Sequence, residues 1–355
     1  MICYYDYETE VDFSLICVIL LSLLFVKVLC FVAQLNLFSW EYTYQLFVTD
    51  WPLYNRSLVR RGEILFSYDF LDEWDIVLAK MNENKKGRKF IYPDSLILVI
   101  GYIRLYFHLP YRQTEGIIKA TGKNLPSHPS YGHICKRINK LNDSSSSSSL
   151  ISSSKCNIDN DDLIIAIDST GIKITNRGQW MTDKWDTQNK SKKKGYLKIH
   201  VAVNIKTKEI LALVVTDEKV QDGMEMKALV ERVMKRNNNK NYKIKTVLAD
   251  GAYDSNKNFK YLNEKRIQPG IKVRKNSIIS SKNNKLRNRE VKLQTRDLLK
   301  WKKKRKYGKR WIAETVFSSI KRAYGEYVSA TKLQNMIKEM MMKVSLYNLF
   351  RKRIV

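Results

Sequence analysis

Three acidic residues, far apart in the chain, stand where a carboxylate can be put to chemical use. Asp168 closes the apolar run Ile-Ile-Ala-Ile, Asp250 closes Val-Leu-Ala, and Glu314 lies inside the segment YGKRWIAETVFSSIK. Ligand sites in open sheets form at strand ends, so if the two runs are neighbouring strands their carboxylates converge. Gly251, directly after Asp250, lets the chain turn sharply and brings backbone close to a bound group. Taken singly, either aspartate reads first as ending a strand or capping a turn.

The third segment is more specific. Tyr307, Arg310, Glu314 and Lys321 occupy relative positions 0, 3, 7 and 14. At roughly 100° per residue they fall within about 60° of one helical face, provided the helix begins near Tyr307. Ile312, Val316, Phe317 and Ile320 belong mainly to the other side and would anchor the helix on a sheet. A plain surface ion pair between Arg310 and Glu314, worth only about 0.3–0.5 kcal/mol, accounts for two of the four residues and leaves Tyr307 and Lys321 unexplained.

Three carboxylates brought together repel one another, and divalent cations remove that cost. Two Mg2+ or Mn2+ ions about 3.5–4 Å apart would activate a water or a 3′-hydroxyl and stabilise the leaving oxygen of an in-line phosphoryl transfer. Arg310 and Lys321 would neutralise phosphate charge, and Tyr307 would pack against sugar or base. Softer metal chemistry has little support. The five cysteines are scattered with no close pair and the four histidines form no ligand cluster, so neither a disulfide framework nor a zinc site is legible and a reducing, cytoplasmic setting fits.

The elements that must position these groups are readable around them. From Leu163 onward strand and helix alternate: Leu163–Ile167, a hairpin of Tyr196–Asn204 with Ile210–Thr216, a helix Met224–Met234, a strand Ile244–Ala249, a helix Asn256–Lys265 and a short strand Gly270–Arg274. This predicts a mixed sheet flanked by helices. The last helix, Lys332–Arg351, carries a stripe of Met336, Met340, Val344 and Tyr347 that reads as core. Between Asp50 and Leu141 the pattern is helical, with Asp94–His108, Tyr111–Ala120 and Tyr131–Leu141 each preceded by a proline. In the third of these Ile134, Ile138 and Leu141 form an apolar stripe with Lys136, Arg137 and Lys140 off it, as in a helix-turn-helix reader of DNA or an ordinary helical domain with a basic face.

The chain of 355 residues carries 64 Lys+Arg against 35 Asp+Glu, a net charge of +29. Residues 271–310 alone hold 17 basic residues against Glu290 and Asp297. Such a polycation suits nucleic acid first and an anionic membrane face second. The basic stretch itself is either a solvated loop or a phosphate-contacting segment. Four regions follow: a hydrophobic N-terminal extension (1–45), a helical DNA-binding domain (50–142), a serine-rich linker (143–160) and a catalytic domain (161–351). Phe13–Ala33 is long enough to span a bilayer, but its acidic flank is wrong for a signal peptide and no cleavage site follows. Residues 1–45 supply none of the candidate site residues.

In this order, the blocks IAIDST, LADGAYD and Y-x2-R-x3-E-x6-K resemble the three catalytic blocks of prokaryotic insertion-sequence DDE transposases, in the large group related to insertion sequences four and five. YPDSLI and LPYRQTEG are similar to the helical region that precedes them, so the resemblance spans about residues 50–351. It implies a ribonuclease H-like catalytic fold, Asp168, Asp250 and Glu314 as ligands of two Mg2+ or Mn2+ ions, and Tyr307, Arg310 and Lys321 as contacts to DNA ends. It implies double-stranded DNA partners, namely terminal inverted repeats and target, and a homo-oligomer, because two ends must be joined. The 63 residues between Asp250 and Glu314 leave room for a helix, a strand and the basic segment but not for a large inserted β-domain. The competing expectations are a metal-dependent nuclease of the same fold, a non-catalytic DNA-binding derivative, and a membrane-attached basic protein resting on Phe13–Ala33 alone.

Overall fold

The computed structural model describes residues 50–66, 71–121, 125–141, 162–175, 196–236 and 243–352. The serine run, Trp180 and the Phe13–Ala33 segment lie outside the described residues. The chain divides after Asp50, and the elements below all belong to the unit Trp51–Val355.

Five helices come first: α1 (Trp51–Leu65), α2 (Trp74–Asn82), α3 (Asp94–Tyr106), α4 (Tyr111–Thr121) and α5 (Tyr131–Lys140). Strands β1 (Leu163–Ile174), β2 (Tyr196–Asn204) and β3 (Ile210–Asp217) follow, then α6 (Met226–Arg236), β4 (Ile244–Ala249), α7 (Asn256–Glu264) and β5 (Gln268–Ile271). The chain ends with α8 (Lys285–Arg296), α9 (Leu298–Arg305), α10 (Trp311–Tyr324), β6 (Tyr327–Val328) and α11 (Leu333–Lys352). The sheet order is β3-β2-β1-β4-β5, with β6 added to the far end of β1. The first three strands are antiparallel neighbours, whereas β4 and β5 run parallel to β1. This is the ribonuclease H-like arrangement.

Strand alternation sorts the side chains between two cores. Ile165 and Ile167 of β1 pack with α6, α7, β4 and β5 on one face, while Ala166 and Ile172 pack with α10, α11 and the N-terminal helices on the other. Met336, Met340, Val344 and Tyr347 are buried in the second core, as are Ile312, Val316, Phe317 and Ile320.

Helix α3 belongs to that same core. A Cβ on Gly101 would stand 2.2 Å from Met342 Cε, and the Tyr102 hydroxyl shares a 2.6 Å hydrogen bond with Ser345. The helices before the serine run and the sheet after it are therefore packed into one unit.

Two expected boundaries shift. β1 does not stop at Asp168 but continues to Ile174, because β2 stays hydrogen-bonded to it as far as Lys173. The last sheet strand is Gln268–Ile271, since Thr246 pairs with Gln268 and Ala249 with Ile271, and β4 offers no partner beyond that. Among the described residues no helix is long and apolar enough to cross a membrane.

Candidate active site

The parallel register of β1 and β4 sets the first two acids level. Ala166 is paired with Leu248, and Asp168 and Asp250 each lie two residues further on. β4 then ends while β1 runs on, and the same edge of β1 is next covered by β6 at Lys173 and Ile174. Into the uncovered stretch between comes the 3-10 turn Tyr307–Arg310, which packs against both β1 and β4.

That turn corrects one expectation. The helix carrying Glu314 begins at Trp311, not near Tyr307, because Lys306 takes a left-handed conformation (φ 53°) and the chain winds tightly for four residues before the α-helix starts. Tyr307 and Arg310 nonetheless stay on the side facing β1. Arg310 Nη1 donates to Asp168 Oδ2 at 3.0 Å and Nη2 pairs with Glu314 Oε1. Lys321 Nζ, two turns further along α10, donates to Thr170 Oγ1 at 2.9 Å. Tyr307 lies beside Arg310, and its ring is tilted 5.1 Å from that of Trp301.

The electrostatics match the crowding of charge. Burial pushes the Asp168 carboxyl up from its ordinary value, and the nearby Asp250 and Glu314 carboxylates push the same way, against Ser169 N–H and Arg310. Asp250 is spent locally, its Oδ1 accepting from Ala252 N at 3.0 Å to cap a 3-10 turn. Glu314 is more than half exposed in the first turn of α10, where the helix dipole favours a negative charge.

LADGAYD contains a further aspartate with a different job. Asp254 is fully buried, with Arg287 Nε 2.7 Å from its Oδ1 and Nη2 3.1 Å from its Oδ2. That bidentate pair ties α8 to the turn after Asp250. The basic stretch is thus no loose loop. Asn284 and Asp297 cap α8 and α9 with side-chain acceptors, and buried Glu290 receives both Trp301 Nε1 (2.7 Å) and Arg305. Lys300, Lys303, Lys304, Lys306 and Lys309 remain exposed around it.

On α5 the three basic residues part company. Lys136 and Lys140 are exposed. Arg137 is buried, paired with Asp94 and lying 4.2 Å over the Phe90 ring, so its guanidinium ties the helical region together and is not open to solvent.

Sequence reading also passed over Asp222. It opens a 3-10 turn behind β1, where Ser169 Oγ donates to its Oδ1 at 2.8 Å and Lys198 lies 2.6 Å away. Its signal was an Asp-Gly pair after a strand, the same pair that marks Asp250, displaced here into the loop beyond β3.

Fold and site together define a ribonuclease H-like protein with acidic residues beside the point where β4 ends and β1 runs on. The family described as "Transposase DDE domain" matches residues 159–349, more than half of the chain, and a second family of the same description matches residues 59–177. The chain belongs to the DDE transposases. It is remotely similar to the piggyBac transposase in a synaptic complex with hairpin DNA, at 10% identity over 82% of this chain and 73% of that one with a TM-score of 0.38. It is also similar to the Drosophila P element transposase in a strand transfer complex, at 11% identity over 82% and 71% with a TM-score of 0.31.

Transposases of this type generally use divalent metal ions. The donors here fit such an ion in kind, being carboxylate oxygens with no thiolate among them. The position between Asp168 and Glu314 already holds a cation, the Arg310 guanidinium. Among the described residues no three acidic, histidine or cysteine groups stand close enough to hold one metal ion.

Proposed function

We propose that this chain binds the terminal inverted repeats of its own element, cleaves at the ends to free 3′-hydroxyls, and joins these to target DNA by direct transesterification. The observation that supports the reading is that Asp168 and Asp250 stand level on neighbouring parallel strands while Arg310 bridges Asp168 to Glu314 and Lys321 reaches Thr170 further along β1. Asp168, Asp250 and Glu314 would hold Mg2+ or Mn2+, two ions in all, which supply the activated oxygen nucleophile and stabilise the departing one. Arg310, on leaving the two carboxylates, neutralises a backbone phosphate; Lys321 does the same from its perch on Thr170, and Tyr307 packs against sugar or base.

Double-stranded DNA extends beyond this centre onto basic surface. The exposed lysines of α9 and the turn after it grip backbone phosphates, and Lys136 and Lys140 of α5 contribute from the helical region, which reads the ends. In this arrangement residues 50–142 recognise DNA, residues 161–351 catalyse and 143–160 join them. Two chains act together because two ends are joined.

The test is strand transfer by the full chain with Mg2+, a plasmid target, and pre-cleaved duplexes cut from the DNA flanking its own coding sequence. Joined product is expected. Nicking without joining would reassign the chain as a nuclease of the same fold, and binding without either would leave a DNA-binding derivative.

A further inference from the structure

Directly behind Asp168, on the opposite face of the sheet, lies a second polar cluster that the acids above do not explain. Ser169 follows Asp168 and by strand alternation points the other way, across the register from its partner His200. There the Asp222 carboxylate gathers Ser169 Oγ at 2.8 Å and Lys198 Nζ at 2.6 Å, with His200 Nδ1 at 3.8 Å. His200 is fully buried and uses its other nitrogen on Thr216 Oγ1, at 2.9 Å.

Two buried polar atoms here have no hydrogen-bond partner: His200 Nδ1 and the Tyr253 hydroxyl. Tyr253 is 1% exposed, and the charge acting most strongly on its phenol is Asp222, ahead of Asp168 and Asp250. An unsatisfied buried donor or acceptor costs about 1–3 kcal/mol, and buried water makes two to four bonds to just such groups.

The Asp222 turn is also locked to the Asp250 turn. A Cβ on Gly223 would come within 2.9 Å of Ala252 O, so only glycine allows the two turns to touch. Asn258 Nδ2 then bridges them, donating to Gly223 O and Tyr253 O at 2.9 Å each. Asp222 is thereby tied to the strand of Asp168 through Ser169 and to the turn of Asp250 through its own backbone.

We propose that Asp222 is a positioning residue for the reaction, which holds Asp168 and Asp250 at their working separation through Ser169 and the Gly223–Asn258 contact. This rests on the reading of Asp168 and Asp250 as metal-binding acids. Partners behind metal ligands of this kind typically change affinity or activity by about 10–100-fold when removed.

The experiment measures Mn2+ binding by electron paramagnetic resonance and Mn2+-dependent nicking of supercoiled plasmid. It compares the full-length wild type with Ser169→Ala, Asp222→Ala, Asp222→Asn and the Ser169→Ala/Asp222→Ala double variant, with Asp168→Ala as reference. Ser169→Ala and Asp222→Ala are each expected to weaken Mn2+ binding about tenfold or more, while plasmid binding in EDTA and the circular dichroism spectrum stay as in the wild type. The double variant should be no worse than Asp222→Ala, because both remove one linkage. Asp222→Asn should recover part of the loss, its amide oxygen still accepting from Ser169. Wild-type Mn2+ affinity in Ser169→Ala and Asp222→Ala, or losses that add in the double variant, overturns the proposal. Should Asp222→Ala not fold, Ser169→Ala decides alone, since it deletes one hydroxyl. If Asp168→Ala abolishes Mn2+ binding and these variants do not, the active-site reading survives without Asp222. If Asp168→Ala binds Mn2+ normally, both readings fall.

Discussion

Arg310 Nη1 stands 3.0 Å from Asp168 Oδ2, joining residues 142 positions apart in the sequence. The same guanidinium reaches Glu314, so one cation sits where two acids need one. Metal and arginine therefore compete for the same charge. Arg310→Gln is expected to tighten Mn2+ binding in the absence of DNA about fivefold to tenfold, the worth of one partly exposed charge-assisted pair. Plasmid cleavage should fall in the same variant, because a phosphate contact is lost. Mn2+ affinity equal to or weaker than wild type by calorimetry would sink the idea.

The three acids at the centre should behave unlike the fourth acid nearby. Asp168→Asn, Asp250→Asn and Glu314→Gln are each expected to lower single-turnover cleavage by about 10³-fold with plasmid binding in EDTA intact, since the charge removed acts in the transition state. Asp254→Asn breaks the buried pair with Arg287 and should instead lower the melting temperature. Comparable cleavage in Asp250→Asn and wild type would remove Asp250 from the centre.

Burial pushes the His200 imidazole down to about 4. Unfolded, the same group titrates near about 6.5. Between those values the unfolded chain binds a proton that the native one does not, so stability falls as pH drops from about 6.5 towards about 4. The total is on the order of 3 kcal/mol. Urea midpoints of wild type and His200→Gln across that window should converge at the acid end, and parallel curves would show that His200 is not held neutral.

The sheet was legible because its runs are strongly apolar: LIIAI and VLA name two strands, although β1 runs on past Asp168 to Ile174, and it is the parallel register that sets Asp168 level with Asp250. Glu314 was legible for another reason, the helical spacing that puts it with Lys321 on one side of α10, with Arg310 reaching it from the tight turn before that helix. What stayed hidden depends on long-range packing. Nothing local in the sequence says that Arg137, with Lys136 before it and Lys140 after, turns inward to Asp94 while the other two face solvent. Nor does the charge run 271–310 announce that one glutamate at position 290 gathers Trp301 and Arg305 into a buried knot.

That knot is the reason such a basic stretch folds at all. Glu290 is 0% and Arg305 2% exposed. Removing one member of a buried ion pair leaves the other uncompensated, at a cost of about 3–5 kcal/mol. Glu290→Ala should thus destabilise α8 and α9 by that order, read as faster amide exchange across both helices. Exchange unchanged from wild type would mean the helices are held by something else.

Packing α8 and α9 in this way leaves Lys300, Lys303, Lys304, Lys306 and Lys309 exposed beside Tyr307 and the acidic centre. A lysine that contacts phosphate displaces a condensed counterion, and each such contact adds about 0.9 to the slope of log affinity against log salt concentration on duplex DNA. A surface lysine without a phosphate adds nothing. Replacing Lys300, Lys303 and Lys304 with alanine should therefore reduce that slope by about 2 to 3 and weaken binding similarly for specific and unrelated duplexes, because phosphate contacts carry no sequence information. Lys136→Ala with Lys140→Ala should lower it by at most about 2. Fluorescence anisotropy over a salt series gives both numbers. A slope unchanged by the triple substitution would place the duplex away from α9 and leave the charge of residues 271–310 without a function in DNA binding.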